Sequence, residues 1–226
     1  MWRRAVAEGL GTFFLTLVAA GLEIVDVLYP GRIDRTVKAA GPALIVGALI
    51  YAIGDLSGAH LNPVVTTTFA LRRVFHWSCV PVYWAAQLAG ALAAAGTLRY
   101  LFGTTRSIGV NETDLTTSHA VVVEVVLTAL LVIVILNAAH KHSLIGADAA
   151  IPVAATLAAC GLVGGELTSA SMNPARSLGP AIVSANYTDI GVFIAGPFIG
   201  ALVALLAMTA LHPVPNPDEQ TSAEGE

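Results

Sequence analysis

The fold is decided by the stretch Ser-Gly-Ala-His-Leu-Asn-Pro at residues 57–63 and by its counterpart, Thr-Ser-Ala-Ser-Met-Asn-Pro at residues 168–174. In both, small and polar residues lead into an Asn-Pro pair. Proline is tolerated in the first turn of a helix, where its missing N–H has no intrahelical partner, and asparagine is a preferred N-cap. We therefore predict two short half-helices, over residues 62–73 and 173–183, which Asn62 and Asn173 cap.

Apolar segments surround these two stretches and are long enough to cross a membrane. Hydrophobic residues make up 56% of the 226 residues and charged residues 12%, whereas a soluble domain carries about 25% charged residues. The composition excludes a disordered chain, a disulfide-stapled secreted domain and an ordinary cytosolic enzyme. A membrane span needs about 20 mostly apolar residues. The sequence predicts six spans, near residues 5–28, 39–56, 80–102, 118–139, 149–166 and 189–212.

The chain also predicts several absences. Its net charge is −4, and it has no basic patch with interleaved aromatic residues, so we expect no nucleic-acid partner. Cys79 and Cys160 lie far apart and are interpreted as free thiols. We predict no metal site, because the short pattern His140-Lys141-His142 is a weak signal for one. We also expect no cofactor. No nucleophile–base pair or metal set is visible in the spans, which argues against an enzyme.

The two halves of the chain repeat the same order of features. An acidic first span (Glu8, then Glu124) precedes each Asn-Pro stretch, and a small-residue third span (Gly90-Ala91, then Gly200-Ala201) follows it. Three spans per half is an odd number, so the second half must have inverted topology. We predict one repeat over residues 1–114, a second over 115–212, and a disordered acidic tail over 213–226.

Inverted repeats bring the two half-helices together from opposite faces near the bilayer midplane. Their N-termini then direct the positive ends of two helix dipoles at one spot, which repels cations. Irregular backbone at membrane depth survives only where it faces protein or a water-filled path. The backbone that leads into each half-helix should therefore line a pore; its expected pore-lining residues are Gly58, Ala59, His60, Ser169 and Ser171.

These motifs resemble the aquaporin, or major intrinsic protein, family. The resemblance rests on the two Asn-Pro boxes, on Ala-Glu-Gly-Leu-Gly-Thr-Phe at residues 7–13, and on Tyr-Trp-Ala-Ala-Gln at residues 83–87. It implies an all-α membrane fold of six spans and two half-helices, a homotetramer with one pore per subunit, and passive conduction of water or small uncharged solutes with ions and protons excluded. The boxes consist of Asn62, Pro63, Val64, Asn173, Pro174 and Ala175. Val64 departs from the family pattern, which has alanine there, and is expected to alter the pore waist.

The resemblance further implies a selectivity filter near the outer mouth, formed at four positions. Counting from the boxes, these positions hold Pro42, Gly161, Ala170 and Arg176. A slip of one residue would put Gly41 or Ala43 in place of Pro42. Because three of the groups are small and only Arg176 is polar, we predict a ring wider than that of a water-selective channel. It should pass glycerol, urea or neutral metalloid hydroxides such as arsenous or boric acid.

Several alternatives stay open at this point. The channel could be strictly water-selective, a non-conducting structural member of the family, or a small secondary transporter, which also uses inverted repeats. Glu8 and Glu124 are interpreted as buried acceptors for the re-entrant backbone, with a proton relay as the alternative. His60 could act as a pH gate, and Cys160 could confer block by mercurials.

Localisation follows from the spans and, less directly, from charge. We expect an integral protein of the lipid bilayer with both termini in the cytoplasm, mainly because the resemblance implies it. Short loops and small size favour a prokaryotic plasma membrane. Basic residues occur on both faces and separate them poorly; one face carries Arg3, Arg4, Arg72, Arg73 and Lys141, and the other carries Arg32, Arg35, Lys38, Arg99 and Arg106.

Overall fold

The structure is a computed structural model that describes residues 1–103, 109–140 and 149–225, and all regular elements in these ranges are helical. The helices are α1 (Trp2–Leu28), α2 (Arg35–Ser57), α3 (Pro63–Leu71), α4 (Val80–Phe102), α5 (Thr117–His140), α6 (Ala150–Thr168), α7 (Pro174–Ser184), α8 (Ile190–Leu211) and α9 (Pro217–Glu224). A short 3-10 helix, Trp77–Cys79, precedes α4.

Six of these helices are long and apolar enough to span a membrane: α1, α2, α4 with its 3-10 lead, α5, α6 and α8. The sequence prediction of an all-α protein with six spans is confirmed. The first span begins earlier than predicted, at Trp2, and the second begins at Arg35. α1 begins and α8 ends on the same face, which we call the terminal face, and the other is the opposite face.

The spans pack in matched pairs, α1 along α4 and α5 along α8, while α2 packs along α6. Glycines permit the close approach in both matched pairs. A Cβ atom at Gly90 would overlap the backbone of Gly9 in α1, and one at Gly200 would lie 2.5 Å from the carbonyl oxygen of Val125 in α5. In a membrane, small residues at such contacts let backbones meet and strengthen dispersion between helices.

The half-helices α3 and α7 begin at Pro63 and Pro174, one residue after each asparagine. In both, the asparagine side chain accepts a hydrogen bond from a backbone N–H of the first turn, and proline occupies the first position. α3 ends at Leu71, before the predicted boundary, and α7 continues to Ser184. These helices are too short to cross a bilayer, so their backbone must be satisfied by the surrounding protein.

The predicted disorder of the tail is wrong for its described residues, because Pro217–Glu224 forms the helix α9. Asn216 and Glu219 form a reciprocal capping box at its N-terminus. Glu219 is fully buried and pairs with Arg72, at the end of α3. Acidic residues in a tail of this composition are expected to stay solvated, but Arg72 provides a buried cationic partner for Glu219.

Candidate functional site

A cavity of about 160 Å³ lies among the helices and extends from the opposite face toward the terminal face. It passes both Asn-Pro boxes and is lined by residues of α1, α2, α3, α5, α6, α7 and α9. Most of the predicted site residues line it: Pro42, Gly58, Ala59, His60, Asn62, Gly161, Ser169, Ala170, Ser171, Asn173 and Arg176.

Asn62 and Asn173 are held by reciprocal contacts between the two re-entrant segments. The amide nitrogen of Asn62 donates to the carbonyl of Met172 (2.8 Å), and that of Asn173 donates to the carbonyl of Leu61 (2.8 Å). Their carbonyl oxygens cap the half-helices, so each side chain is fixed at both ends. A carboxamide has two N–H donors. Within the described residues, the second N–H of each has no protein partner, and both side chains line the cavity.

The backbone that leads into each half-helix has an unusual and matched conformation. Ala59 and Leu61 have φ values of 45° and 53°, and Ala170 and Met172 have 41° and 50°. Left-handed backbone costs on the order of 1–3 kcal/mol for a non-glycine residue and persists only where the surroundings impose it. The two segments therefore need strong local acceptors to hold them.

Glu8 is the acceptor that holds the first segment. Its fully buried carboxylate accepts from the N–H of His60 (2.9 Å) and of Leu61 (2.7 Å). It also accepts from the Ser57 hydroxyl (2.8 Å) and from the amide of Gln87 (2.7 Å). Four donors share the carboxylate, which fixes the position of the backbone before Asn62.

Glu124 holds the second segment in the same way. Its buried carboxylate accepts from the N–H of Ser171 (3.0 Å) and of Met172 (2.8 Å), and from the Thr168 hydroxyl (2.7 Å). Because every oxygen is engaged by the re-entrant backbone and neither carboxylate lines the cavity, the proton-relay alternative has no support in this geometry.

Arg176 is buried and lines the cavity toward the opposite face. Its Nη1 donates to the carbonyl of Gly109 (3.0 Å) and to the side-chain oxygen of Asn111. Ser177 also donates to that oxygen (2.9 Å). Asn111 and Ser177 were not predicted as site residues, because this contact joins α7 to the segment between α4 and α5 and leaves no local pattern in the sequence.

The other three predicted filter positions, Pro42, Gly161 and Ala170, hold small residues that also line the cavity. Pro42 lines it, whereas a Cβ at Gly41 would point at Leu22 and Ala43 is not a lining residue. The one-residue slip considered above is therefore unnecessary. A Cβ at Gly161 would lie 2.9 Å from that of Ala39. Glycine here also lets α2 approach α6, a packing role that the sequence did not indicate.

Charged residues at the mouth of the cavity on the opposite face were also missed. Nζ of Lys38 lies 3.0 Å from Oε2 of Glu23 and 3.1 Å from Oδ2 of Asp26. Glu23 and Lys38 line the cavity together with Arg35 and Glu166. Opposite charges meet at this entrance, so it presents both hydrogen-bond donors and acceptors to an approaching solute.

Four predicted box residues do not line the cavity: Pro63, Val64, Pro174 and Ala175. The expectation that Val64 alters the pore waist is not supported, because its side chain is fully buried in an apolar cluster that includes Val132 and Leu136. The next residue, Val65, faces the cavity instead. Successive helical residues point in different directions, so the substitution falls on the packed side of α3.

The remaining side chains singled out in the sequence are placed as follows. Cys79 and Cys160 are free thiols; Cys160 is buried and does not line the cavity. His140 pairs with Glu219 at the terminal face (2.7 Å), while Lys141 and His142 lie outside the described residues. In the described ranges, no group of three or more metal-ligating side chains comes together.

Comparison with known proteins bears on this arrangement. The family model for the major intrinsic protein matches residues 1–208. Probable aquaporin NIP4-2 of Arabidopsis thaliana is 43% identical over 200 residues, which cover 88% of this chain and 70% of the relative. Aquaporin NIP1-1 of Oryza sativa subsp. japonica is 38% identical over 229 residues (99% and 79%), and nodulin-26 of Glycine max is 35% identical over 221 residues (97% and 82%).

A solved structure shows the same fold. The aquaglyceroporin from Plasmodium falciparum superposes with a TM-score of 0.79 over 93% of this chain and 97% of its own, at 21% sequence identity. An identity this low bears on the fold alone. The family match and the relatives go further, and they agree with the doubled Asn-Pro boxes described above: the chain belongs to the major intrinsic protein family.

Proposed function

We propose that this integral membrane protein is a passive channel for water and small uncharged solutes, and that it excludes ions and protons. The observation that carries the proposal is the cavity that passes Asn62 and Asn173. Each offers an unused N–H donor there, at the N-terminus of a half-helix. An oxygen atom of a passing solute can accept a hydrogen bond from these donors, and the passage requires no covalent bond to form or break.

The exclusion of cations follows from the charges around this point. The N-termini of both half-helices lie at the cavity, and the N-terminus of a helix carries about half a positive charge. Arg176 adds a full positive charge further along. At the Asn-Pro boxes a cation or proton would meet this field without a carboxylate beside it, because Glu8 and Glu124 lie behind the re-entrant backbone and do not line the cavity. The acidic residues that do line the cavity, Glu23 and Glu166, lie at its mouth on the opposite face.

We also propose that the fold is an inverted repeat, and that residues 1–114 and residues 115–212 are its two halves. The matched contacts support it: Asn62 binds the carbonyl of Met172 while Asn173 binds that of Leu61. Glu8 and Glu124 accept from equivalent N–H groups in the two halves.

The solute range is proposed to extend beyond water. Pro42, Gly161 and Ala170 offer no side-chain hydrogen-bonding group, so Arg176 is the only charged member of the ring. Pore diameter, lining donors and electrostatic barriers decide which solutes pass. A ring of small residues beside one multidentate donor suits glycerol, urea and hydroxylated metalloids such as arsenous and boric acid.

The proposal is tested by stopped-flow light scattering on proteoliposomes that contain the purified protein, with water, glycerol, urea and arsenous acid in turn. We expect all four permeabilities to exceed those of empty liposomes, while an internal pH dye reports no added proton flux. Conduction of water alone would establish the strictly water-selective alternative. Flux that saturates and follows a proton gradient would favour the transporter. Permeabilities equal to those of empty liposomes would overturn the proposal.

Assembly and orientation are also proposals. We infer a homotetramer with both termini in the cytoplasm, as the family resemblance implies. The relatives reported above are plant proteins, so they give no support to the predicted prokaryotic plasma membrane. Native mass spectrometry in detergent tests the assembly, and protease access to a C-terminal tag in intact cells tests the orientation.

A further inference from the structure

We propose that the C-terminal helix α9 is a lid that closes the cavity at the terminal face, and that Glu219 latches it to Arg72 and His140. The inference rests on the conduction proposed above and adds its regulation. The first observation is the position of α9, which packs against the ends of α2 and α5 at the terminal face.

α9 lies directly against the first re-entrant segment. A Cβ at Gly58 would be 2.6 Å from the carbonyl oxygen of Ala223, and one at Gly225 would be 2.5 Å from the backbone nitrogen of Ser57. The backbone of Ala223 also approaches the ring of His60. The lid therefore touches the residues that precede Asn62 in the proposed path.

Ser222 is the residue of α9 that faces the cavity. It is one of the lining residues, together with Gly58 and His60. Its hydroxyl is buried and has no hydrogen-bond partner among the described residues. A buried hydroxyl costs free energy unless something satisfies it, and at this position the available partner is a solute in the cavity.

The latch is a buried ionic cluster. The carboxylate of Glu219 accepts from Nε of Arg72 (2.8 Å) and from Nη2 of Arg72 (3.0 Å). Both side chains are almost fully buried, at 3% and 0% exposure. Nδ1 of His140 lies 2.7 Å from the same carboxylate, and Asn216 donates to the carbonyl of His140. Arg72 caps the C-terminus of α3, so the latch ties the lid to the half-helix that Asn62 begins.

The docking of α9 depends on this cluster more than on apolar contact. The helix has eight residues, Pro-Asp-Glu-Gln-Thr-Ser-Ala-Glu, and Ala223 is the one residue it adds to the apolar core. An isolated helix of this length is not stable in water. Removing one partner of a buried ion pair leaves the other charge uncompensated. Loss of Glu219 or of its charge should therefore release the lid as a unit.

The test compares water and glycerol permeability of proteoliposomes that contain four full-length or truncated proteins. These are the wild type, a chain that ends at Val214, Glu219→Gln, and Asp218→Asn. Asp218→Asn is the matched control, because this substitution removes the same charge from the same helix, while the Asp218 side chain makes no hydrogen bond or ion pair within the described residues. If the lid is open for about a tenth of the time or less, the truncated chain and Glu219→Gln should conduct about tenfold faster or more, and Asp218→Asn should match the wild type.

The outcomes separate the lid from the channel. A truncated chain that conducts at the wild-type rate, or that no longer conducts while the wild type does, would overturn the lid and leave the proposed function standing. If neither protein conducts any solute, the proposed function fails and the lid fails with it. The truncated chain decides the question should Glu219→Gln not fold.

Discussion

Replacing Glu124 with leucine removes the acceptor that holds the second re-entrant segment. Three donors lose their partner: the N–H groups of Ser171 and Met172, and the hydroxyl of Thr168. The hydroxyl can rotate toward another acceptor, but the two backbone N–H groups are fixed in a segment where Met172 has a φ of 50°. They are left buried and unpaired.

The size of the effect follows from these two groups. A buried donor left without a partner costs about 1–3 kcal/mol, so Glu124→Leu should lower the free energy of unfolding by about 2–6 kcal/mol. Glu124→Gln keeps one acceptor oxygen and orphans one backbone N–H, so it should cost about 1–3 kcal/mol. The ranking of leucine below glutamine, and of glutamine below wild type, is the prediction.

Thermal unfolding in detergent, followed by circular dichroism, measures this ranking, and Glu166→Gln is the matched control. Glu166 is exposed on α6, the helix that leads into the same segment, and its substitution should leave the melting temperature unchanged. Water permeability should fall with stability, since Met172 supplies the carbonyl that positions Asn62. A leucine variant that melts and conducts like the wild type would refute the role given to Glu124.

Three further predictions concern the filter, the thiols and the latch. Ala170→Phe should narrow the ring and lower glycerol permeability by about tenfold while water falls less, as measured by stopped-flow swelling; an equal fall for both solutes would contradict the wide-filter proposal. Because Cys160 does not line the cavity, mercuric chloride should leave water flux unchanged in a Cys79→Ser variant, and strong block there would show that Cys160 reaches the path. Burial raises the pKa of the Glu219 carboxyl, but hydrogen bonds from Arg72 and His140 outweigh it and hold that pKa below its usual value. A depressed pKa means that the carboxylate stabilises docking above about pH 4.3 and loses this effect as pH falls further. Hydrogen exchange of residues 217–224, corrected for intrinsic rates, should therefore show constant protection from pH 8 to pH 5 and a loss only in stronger acid.

Much of the fold could be predicted because its determinants are local. Each span is a continuous apolar run. Each half-helix begins with an asparagine at the N-cap and a proline in the first turn, and this pair can be recognised in the sequence. The roles of Glu8 and Glu124 could also be suggested, since a buried carboxylate at equivalent positions of a repeat needs donors that occur twice.

The rest depends on contacts between segments that are distant in the chain. Asn111 meets Arg176 only after the segment before α5 folds back over α7, and Glu219 meets Arg72 only after the tail returns to α3. Composition described the tail as acidic and solvated, because it cannot report which cation lies opposite. The expectation that Val64 alters the pore waist is unsupported for another reason: neighbouring positions on a helix face different sides, and the sequence did not show which side of α3 faces the cavity.

The most direct test of the account is an experimental structure at a resolution that locates water molecules in the cavity. We predict an unbroken file of water, with one molecule within hydrogen-bond distance of the free N–H of both Asn62 and Asn173. A dry gap between these side chains, or a protein group that occupies both N–H donors, would contradict the claim that two asparagine-capped half-helices form the conducting path.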